Sequence, residues 1–314
     1  MGNKAFVNPG KHHLGYSFGT PPYNNRKYDE LRVPFKLVQW KTALILNRRI
    51  YIGNVKITKQ DGSVHVEPDT MYKSRVNRFD TFTDSGKITV ATGDGESIVA
   101  LVDYADRILQ FKESTLHIIN AQQKEFLEDS HKHKGVNNIQ AVCKTDYGVA
   151  WANSHGAYLY DGRRINDLIE KKGKRSIKTS EWISFASSTL SVGYIPDKRQ
   201  ILFCDSYTST NGHIYIYDLV TNSWTKGSAK LAADKTNFIN THDGKLAWGE
   251  NASSVNSIYT WSNDAVASSG LDIKTPDIDF QTPSVKKKIN KVYITYKTNN
   301  ATIGVDVKYG VNGG

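Results

Sequence analysis

The chain has little cysteine, methionine or proline, and each scarcity removes a class of protein. Two cysteines in 314 residues exclude a disulfide framework, which needs a denser, paired set. Cys143 and Cys204 lie inside apolar runs, Ala141-Val142-Cys143 and Ile201-Leu202-Phe203-Cys204, away from metal-ligand spacing, and read as two buried thiols. Only two methionines, and no long Ala/Leu/Glu/Lys stretch, argue against a helical protein. No apolar window reaches the length of a membrane span and no basic-then-apolar leader opens the chain, so the expectation is no membrane insertion and folding in a cytoplasm-like compartment. Gly2 does not begin a myristoylation signal, because Phe6 stands where that signal needs Ser or Thr. No glycine loop of the P-loop or dinucleotide type occurs, and no cofactor is expected.

What the chain does have is aromatic: 17 Tyr, 11 Phe and 6 Trp, residue types that favour strands over helices. The length suits one large all-β domain, alone or with a small appendage. Lys and Arg outnumber Asp and Glu by 41 to 31, a balance compatible with nucleic acid, anionic glycans or an acidic protein as partner. Basic residues cluster at Lys171, Lys172, Lys174 and Arg175, and again at Lys286, Lys287 and Lys288. A solvated loop accounts for either cluster, and both stand as candidate contacts for assembly or for an anionic partner.

Five segments repeat one pattern: a short apolar strand, a polar turn, then a strand rich in Tyr, Ile or Trp. They are Leu44-Ile45-Leu46 with Ile50-Tyr51-Ile52; Ile108-Leu109-Gln110-Phe111 with Thr115-Leu116-His117-Ile118-Ile119; Val149-Ala150-Trp151 with Ala157-Tyr158-Leu159-Tyr160; Ile201-Leu202-Phe203-Cys204 with Ile214-Tyr215-Ile216-Tyr217; and Leu246-Ala247-Trp248 with Ile258-Tyr259-Thr260-Trp261. The second strands begin at 50, 115, 157, 214 and 258, steps of 65, 42, 57 and 44 residues. Propeller blades run to roughly 40–50 residues, so the spacing predicts an all-β protein, a β-propeller of antiparallel four-stranded blades. Middle strands of a blade are buried on both faces and read as continuous apolar runs, while Arg163-Arg164-Ile165-Asn166-Asp167-Leu168 and Ser223-Trp224-Thr225-Lys226 read as polar outer strands.

The turn chemistry agrees. Asn47-Arg48, Asp61-Gly62, Asp94-Gly95, Asp161-Gly162, Asn211-Gly212 and Asp243-Gly244 are hairpin signals. Residues 122–138 and 169–180 read as inter-strand loops, the first with a short helical turn around Glu125-Phe126-Leu127-Glu128. Residues 1–35, rich in Gly, Pro, Asn and Tyr, predict an extended N-terminal arm ahead of a propeller over 36–285. Residues 286–314 predict a C-terminal hairpin, Lys291-Val292-Tyr293-Ile294-Thr295-Tyr296-Lys297 with Ile303-Gly304-Val305-Asp306-Val307-Lys308-Tyr309, opening a β-sandwich-like second domain.

No catalytic residue is assigned. A glycosidase propeller needs a facing pair of carboxylates, whereas Asp103, Asp106, Asp205, Asp218 and Asp264 fall at strand ends and turns, where Asp is favoured locally. His12-His13 and His131-x-His133 lack further ligands at zinc spacing and read as solvated, so no metal is expected. Asp94-Gly95-Glu96 lacks the alternating oxygens of a calcium loop and reads as a turn. The aromatics Tyr215, Tyr217, Tyr259 and Trp261 could stack bases or sugars, but packing between blades uses the same residues and is the expected role.

Residues 213–224, His-Ile-Tyr-Ile-Tyr-Asp-Leu-Val-Thr-Asn-Ser-Trp, resemble a kelch-type blade, with a strand ending in Tyr-Asp and the next beginning with Trp after a turn. Taken with residues 106–113, 156–162 and 286–296, the order of segments over about 40–310 resembles bacteriophage tail proteins of the nozzle or tubular-protein-B type. That resemblance implies a structural, non-enzymatic role. Several copies would form a ring around the DNA channel below the portal and adaptor, contact neighbouring tail and portal-complex proteins, touch DNA non-specifically and hold the packaged genome in the virion. The sequence departs from the family in length, its second β domain stopping at Gly313-Gly314. A kelch-like adaptor and a glycan-binding or glycan-cleaving propeller are the alternatives.

Overall fold

The computed structural model describes residues 3–5, 35–59, 62–171, 173–186, 189–205, 212–227, 231, 234–252, 255–261, 278, 280, 282, 284–295 and 306–310. The chain divides into two units, Met1–Ser262 and Asn263–Gly314. The first unit is built almost wholly from antiparallel sheets, taken here in chain order.

The first sheet joins β1 (Asn3–Ala5), β2 (Phe35–Leu46), β3 (Arg49–Lys59), β4 (Val64–Arg75) and β5 (Arg78–Ile88). The second is β6 (Ile98–Tyr104), β7 (Arg107–Lys112), β8 (Thr115–Asn120) and β9 (Phe126–Lys132), and the third is β10 (Val142–Thr145), β11 (Gly148–Asn153), β12 (Gly156–Tyr160) and β13 (Ile165–Asp167). A small hairpin, β14 (Glu170–Lys171) with β15 (Lys174–Arg175), and the helix α1 (Thr179–Phe185) follow. The fourth sheet is β16 (Ser191–Ile195), β17 (Gln200–Cys204), β18 (Ile214–Asp218) and β19 (Ser223–Gly227). In the fifth, β20 (Asp234–Lys235) and β21 (Ile239–Asn240) share one edge of β22 (Leu246–Ala252), and β23 (Val255–Thr260) takes the other.

Local chemistry sets these hairpins. Asn47 and Arg48 have φ of 50° and 59°, and Ala105 and Asp106 have 46° and 59°, the positive pair that a two-residue turn needs to match strand twist. Gly95, Gly162, Gly212 and Gly244 are likewise at positive φ, as the Asp-Gly and Asn-Gly signals require; Asp61 and Asn211 themselves lie outside the described residues. The repeated apolar pairs become strand pairs: β2–β3 in the first sheet, β7–β8, β11–β12 and β17–β18 in the next three, and β22–β23 in the fifth. In the second to fourth sheets they are the two middle strands, and β13 and β19 are the polar outer ones.

Each sheet buries its face against the next. Leu44, Tyr51 and Met71 meet Ile98, Leu101 and Ile108 between the first and second. Leu109, Phe111 and Leu116 meet Val149, Trp151 and Tyr158 between the second and third. Ala150 and Leu159 meet Ile201, Phe203 and Tyr217 between the third and fourth. Leu202, Cys204 and Ile214 meet Leu246 and Trp248 between the fourth and fifth. Four-stranded antiparallel sheets packed face to face in chain order are blades, and the fold is a β-propeller. Among the described residues no hydrophobic cluster joins the fifth sheet to the first.

Helix α1 fills the seam between the third and fourth sheets. At seven residues it is too short to persist on propensity alone. Trp182 anchors it: the indole is fully buried, its Nε1 donates to Asn153 O at 2.8 Å, and its ring lies 5.3–6.1 Å from those of Phe185, Phe203, Tyr215 and Trp224. Burying such a side chain contributes about 3 kcal/mol or more.

The structure differs from expectation in several places, among them residues 169–180, read as a loop, which hold the hairpin β14–β15 and the start of α1 because Trp182 finds a socket between two sheets. Residues 126–132 form the outer strand β9 rather than a loop with a helical turn; Phe-Leu-Glu-Asp-Ser-His-Lys is exposed along almost its whole length, so no alternation marked it. Part of the N-terminal arm is a strand, Asn3–Ala5 pairing with Val38, Gln39 and Trp40, while residues 6–34 lie outside the described residues. The C-terminal hairpin expected over residues 286–314 falls in the second unit, where residues 291–295 and 306–310 are exposed and residues 296–305 lie outside the described residues.

Candidate functional site

A dense group of titratable side chains joins the connection between the first and second sheets, residues 89–97, to β7 and β8. Lys112, the last residue of β7, is fully buried; its ammonium group donates to Asp94 Oδ1 at 2.6 Å and Ala91 O at 2.7 Å. Across the strand pair, His117 on β8 places Nε2 3.4 Å from Asp94 Oδ2, and its Nδ1 is 3.0 Å from Ser130 Oγ on β9. Glu96 accepts from the Ser114 and Thr115 backbone N–H groups at 3.1 and 3.2 Å and from the Ser114 hydroxyl. Tyr51 OH and Lys73 Nζ converge on Glu125 at 2.9 and 2.5 Å.

Burial pushes the carboxyl pKa of Asp94 upward, but hydrogen bonds from Lys112, the Glu96 N–H and His117, with the Lys112 charge, outweigh it and hold the group below the usual range. Burial is likewise overcome at Glu96 by the Ser114 and Thr115 donors. At His117 burial prevails over Asp94, lowering its pKa and favouring neutral imidazole.

Ser130, His117 and Asp94 stand in the order of a hydrolytic triad, and the geometry argues against that chemistry. Asp94 is committed to the buried Lys112 cation, and the Ser130 N–H, a natural oxyanion donor, is given to Asp129 Oδ1 at 2.7 Å. Ser130 and His117 are direct cross-strand neighbours, a pairing that any β-ladder can make. What the group does physically is fasten the connection between the first two sheets, residues 89–97, to β7 and β8.

A second constellation surrounds Asn153 at the end of β11. Its Nδ2 donates to His133 O at 3.1 Å and Gly135 O at 2.8 Å, while its Oδ1 accepts from the N–H groups of His155 and Gly156 at 2.9 and 3.2 Å. One amide thus uses both donors and both acceptor positions to bind two turns together. The result brings the His133 and His155 rings to 5.1 Å, with Lys134 Nζ 3.5 Å from the centroid of Tyr158. His133 holds φ of 62°, and a Cβ on Gly135 would fall 2.4 Å from Lys112 O, so this loop has little freedom. Asn153 carries no motif and was not legible as a hub; Asn153-Ser154-His155-Gly156 reads in sequence only as a turn.

The residues singled out from sequence fall as follows. Lys171 donates to Tyr217 OH and to Asn222 Oδ1 at 2.9 Å, tying β14 to the fourth sheet; Arg175 reaches Ile177 O at 3.2 Å and Glu170 at 3.7 Å. Lys174 is exposed on β15, and Lys172 lies outside the described residues. In the second unit Lys286 and Lys288 are exposed, and Lys287 donates to Thr282 O and to Val285 O at 3.1 Å. Asp103 pairs with Lys144 at 2.7 Å, Asp106 sits in its turn, Asp205 N–H donates to His213 O at 3.2 Å, and Asp218 caps the Val220 and Thr221 N–H groups at 2.9 and 2.8 Å; Asp264 lies outside the described residues. His131 pairs with Asp129 at 3.0 Å, and His12 and His13 lie outside the described residues. Cys204 is fully buried, whereas Cys143, expected to be buried as well, is only partly so, and desolvation pushes its thiol up to about 12. Among the described residues no three His, Cys, Asp or Glu side chains converge as metal ligands, and no helix is long and apolar enough to cross a membrane. Tyr215 and Tyr217 pack on Trp224, centroids 6.1 and 5.0 Å away, inside the blade seam.

No protein-family model matches the sequence, and no curated protein does. Solved structures similar to this chain include YCF48 bound to D1 peptide (TM-score 0.43, 10% identity, covering 75% of this chain and 66% of that one). Hsv2 of Kluyvelomyces marxianus is similar at TM-score 0.41 and 9% identity, covering 76% of each chain. The Cps50 (Swd1) beta-propeller domain of Myceliophteria thermophila is similar at TM-score 0.39 and 12% identity, covering 73% of this chain and 72% of that one. These likenesses are too distant to bear on function, and the fold rests on the blade stacking itself.

Proposed function

We propose that the chain is a non-enzymatic structural subunit of a bacteriophage tail, of the nozzle type, which assembles in the host cytoplasm into a ring of its own copies and sits in the virion between neighbouring tail and portal-complex proteins. The order of segments over residues 40–310 supports this reading, and so does the use of the strongest polar groups to fasten blades.

The observation that carries it is an open edge. In the second to fourth sheets a fourth strand covers the third; in the fifth, β23 has no partner on its outer side among the described residues, and Ile258 is 84% exposed. The second unit meanwhile exposes Val292, Ile294 and Val307 in β-prone sequence without pairing. Unpaired backbone groups and apolar side chains favour strand addition, and a neighbouring copy supplies the complementary element. Lys286, Lys287 and Lys288 precede this element and contribute charge at the junction.

Light scattering and electron microscopy of the full chain test the reading. Rings are expected, and the pair Val292→Asp and Ile294→Asp should release folded monomers with an unchanged circular dichroism spectrum. A full-length protein that stays monomeric at high concentration, or variants that still form rings, would overturn it.

A further inference from the structure

Two turns at one end of the first sheet gather four arginines, Arg48 and Arg49 where β2 passes into β3, and Arg75 and Arg78 where β4 passes into β5. The turns are bound to each other and to the second sheet: the Asn77 N–H donates to Arg48 O at 2.9 Å, and Asn47 Nδ2 donates to Ala121 O at 2.9 Å. Arg75 and Arg78 are direct cross-strand partners. The register that sets Tyr51 on β3 opposite Lys73 on β4 places Arg49 opposite Arg75 two residues further on, and Arg49 Nη1 donates to Ser74 O at 2.8 Å. Residues directly opposite on neighbouring strands project to one side of a sheet, with about 5 Å between strands. Arg49, Arg75 and Arg78 therefore form a row across β3, β4 and β5, and exposed Arg48 stands on the adjoining turn.

This row runs against local stability in two ways. Like charges directly opposite one another on adjacent strands repel. Arg48 also takes the second position of a two-residue turn at φ of 59°, where glycine is favoured and a side chain is strained. Few carboxylates offset the charge. Among the described residues, the acid that β2 to β5 bring to this end is Asp80, and Glu125, from the connection between β8 and β9, is engaged by Lys73 and Tyr51. With Lys73, five cations thus stand against two carboxylates, in a chain whose formal charge is already +10. Lysine outnumbers arginine 30 to 11 in the sequence, yet the four cations of the turns are all arginine, the forked donor that matches two oxygens of one phosphate.

We propose that Arg48, Arg49, Arg75 and Arg78 form a contact surface for the phosphate backbone of nucleic acid. A sheet spaces the members of the row evenly, and a nucleic-acid strand carries evenly spaced charges, whereas the carboxylates of an acidic protein surface have no fixed repeat. Contact is to the backbone and reads no base sequence. The surface belongs to the first sheet and does not depend on the ring assembly proposed above.

Fluorescence anisotropy of a labelled DNA duplex, titrated with the full-length protein at salt concentrations from about 50 to about 200 mM, tests this. The wild-type protein should bind with a steep salt dependence. Arg48→Gly with Arg78→Gln, its fold checked by circular dichroism, should weaken binding roughly tenfold at the lower salt and reduce the slope of log affinity against log salt by about two. Arg48→Gly alone, at a position that glycine favours, should give about a threefold loss and a slope reduced by about one. Arg163→Gln with Arg164→Gln removes the same charge from the exposed turn before β13 and should leave binding close to wild type. No binding at about 50 mM salt would overturn the proposal, and so would equal losses in the two double variants, which would reduce the effect to net charge. A poly-glutamate peptide that displaces the duplex at equal charge concentration would overturn it in favour of an acidic protein partner. Ring formation, read separately by light scattering, is expected to be the same in all these variants.

Discussion

Lys112 and Asp94 form an ion pair with one partner fully buried and the other at the rim: N to O is 2.6 Å, and the two side chains are 0% and 35% exposed. Removing Asp94 leaves a cation that water cannot reach. Asp94→Asn should therefore destabilise the protein by about 3 kcal/mol, the lower end for a broken buried pair because Asp94 is partly solvated. Adding Lys112→Met removes the stranded charge and should restore most of the loss. Urea unfolding of the two variants, compared at equal m-value, is the check; a single variant as stable as wild type would mean the pair contributes nothing.

Acid should weaken the same seam, and the sign follows from the direction of each shift. Asp94, Glu96 and Glu125 have depressed carboxyl pKa values, Lys73 and Tyr51 lowering that of Glu125 against burial. Their stabilisation is complete above the unfolded value near pH 4 and is lost as pH falls through the folded values. His117, held neutral by burial, adds a shallower loss that starts below about pH 6.5, where the unfolded chain takes up the proton first. Denaturation midpoints between about pH 7 and about pH 3 should decline in two stages, and His117→Gln should remove the first of them. An acid profile unchanged by that substitution would refute the assignment.

Gly148 opens β11 at φ of 142°, and a Cβ there would stand 1.9 Å from Tyr160 O on the adjacent strand. Backbone, not a flexible side-chain end, is what it would strike. Gly148→Ala should cost about 4 kcal/mol or more, among the largest single-residue effects. Gly173, also at positive φ but with open space around it, is the control: alanine there should cost about 1 kcal/mol. Thermal unfolding of the two variants separates steric from conformational strain, and equal effects would show that β11 can shift.

How much of this was legible depended on whether a residue's role was local. Asp161-Gly162 announces its turn because Asp161 itself accepts the Arg163 and Arg164 N–H groups, both at 2.9 Å, and glycine alone makes the positive φ easy. The middle strands are legible because burial on both faces leaves only apolar choices, as in Ile201-Leu202-Phe203-Cys204. Strand β9 was hidden because its pairing with β8 is a backbone matter that exposed Glu128, Asp129 and Lys132 do not record. The Asp94, Lys112 and His117 group was hidden for another reason. Asp94-Gly95-Glu96 is a turn, as its sequence says, but its partners lie 18–23 residues away on another strand pair. Helix α1 was missed because its stability comes from the Trp182 socket, made by two sheets rather than by periodicity.

Because, among the described residues, each blade finds its apolar partner in the segment just before or just after it, covering those faces needs no distant stretch of chain. Sequence-local contacts carry a small loop-closure penalty, and folding of such arrays spreads from unit to unit. A ribosome would therefore release this protein as a series of closures from the amino end, each new blade sealing its predecessor and presenting one fresh sticky surface. Among the described residues the last of those surfaces, on the fifth sheet, has no later blade to seal it.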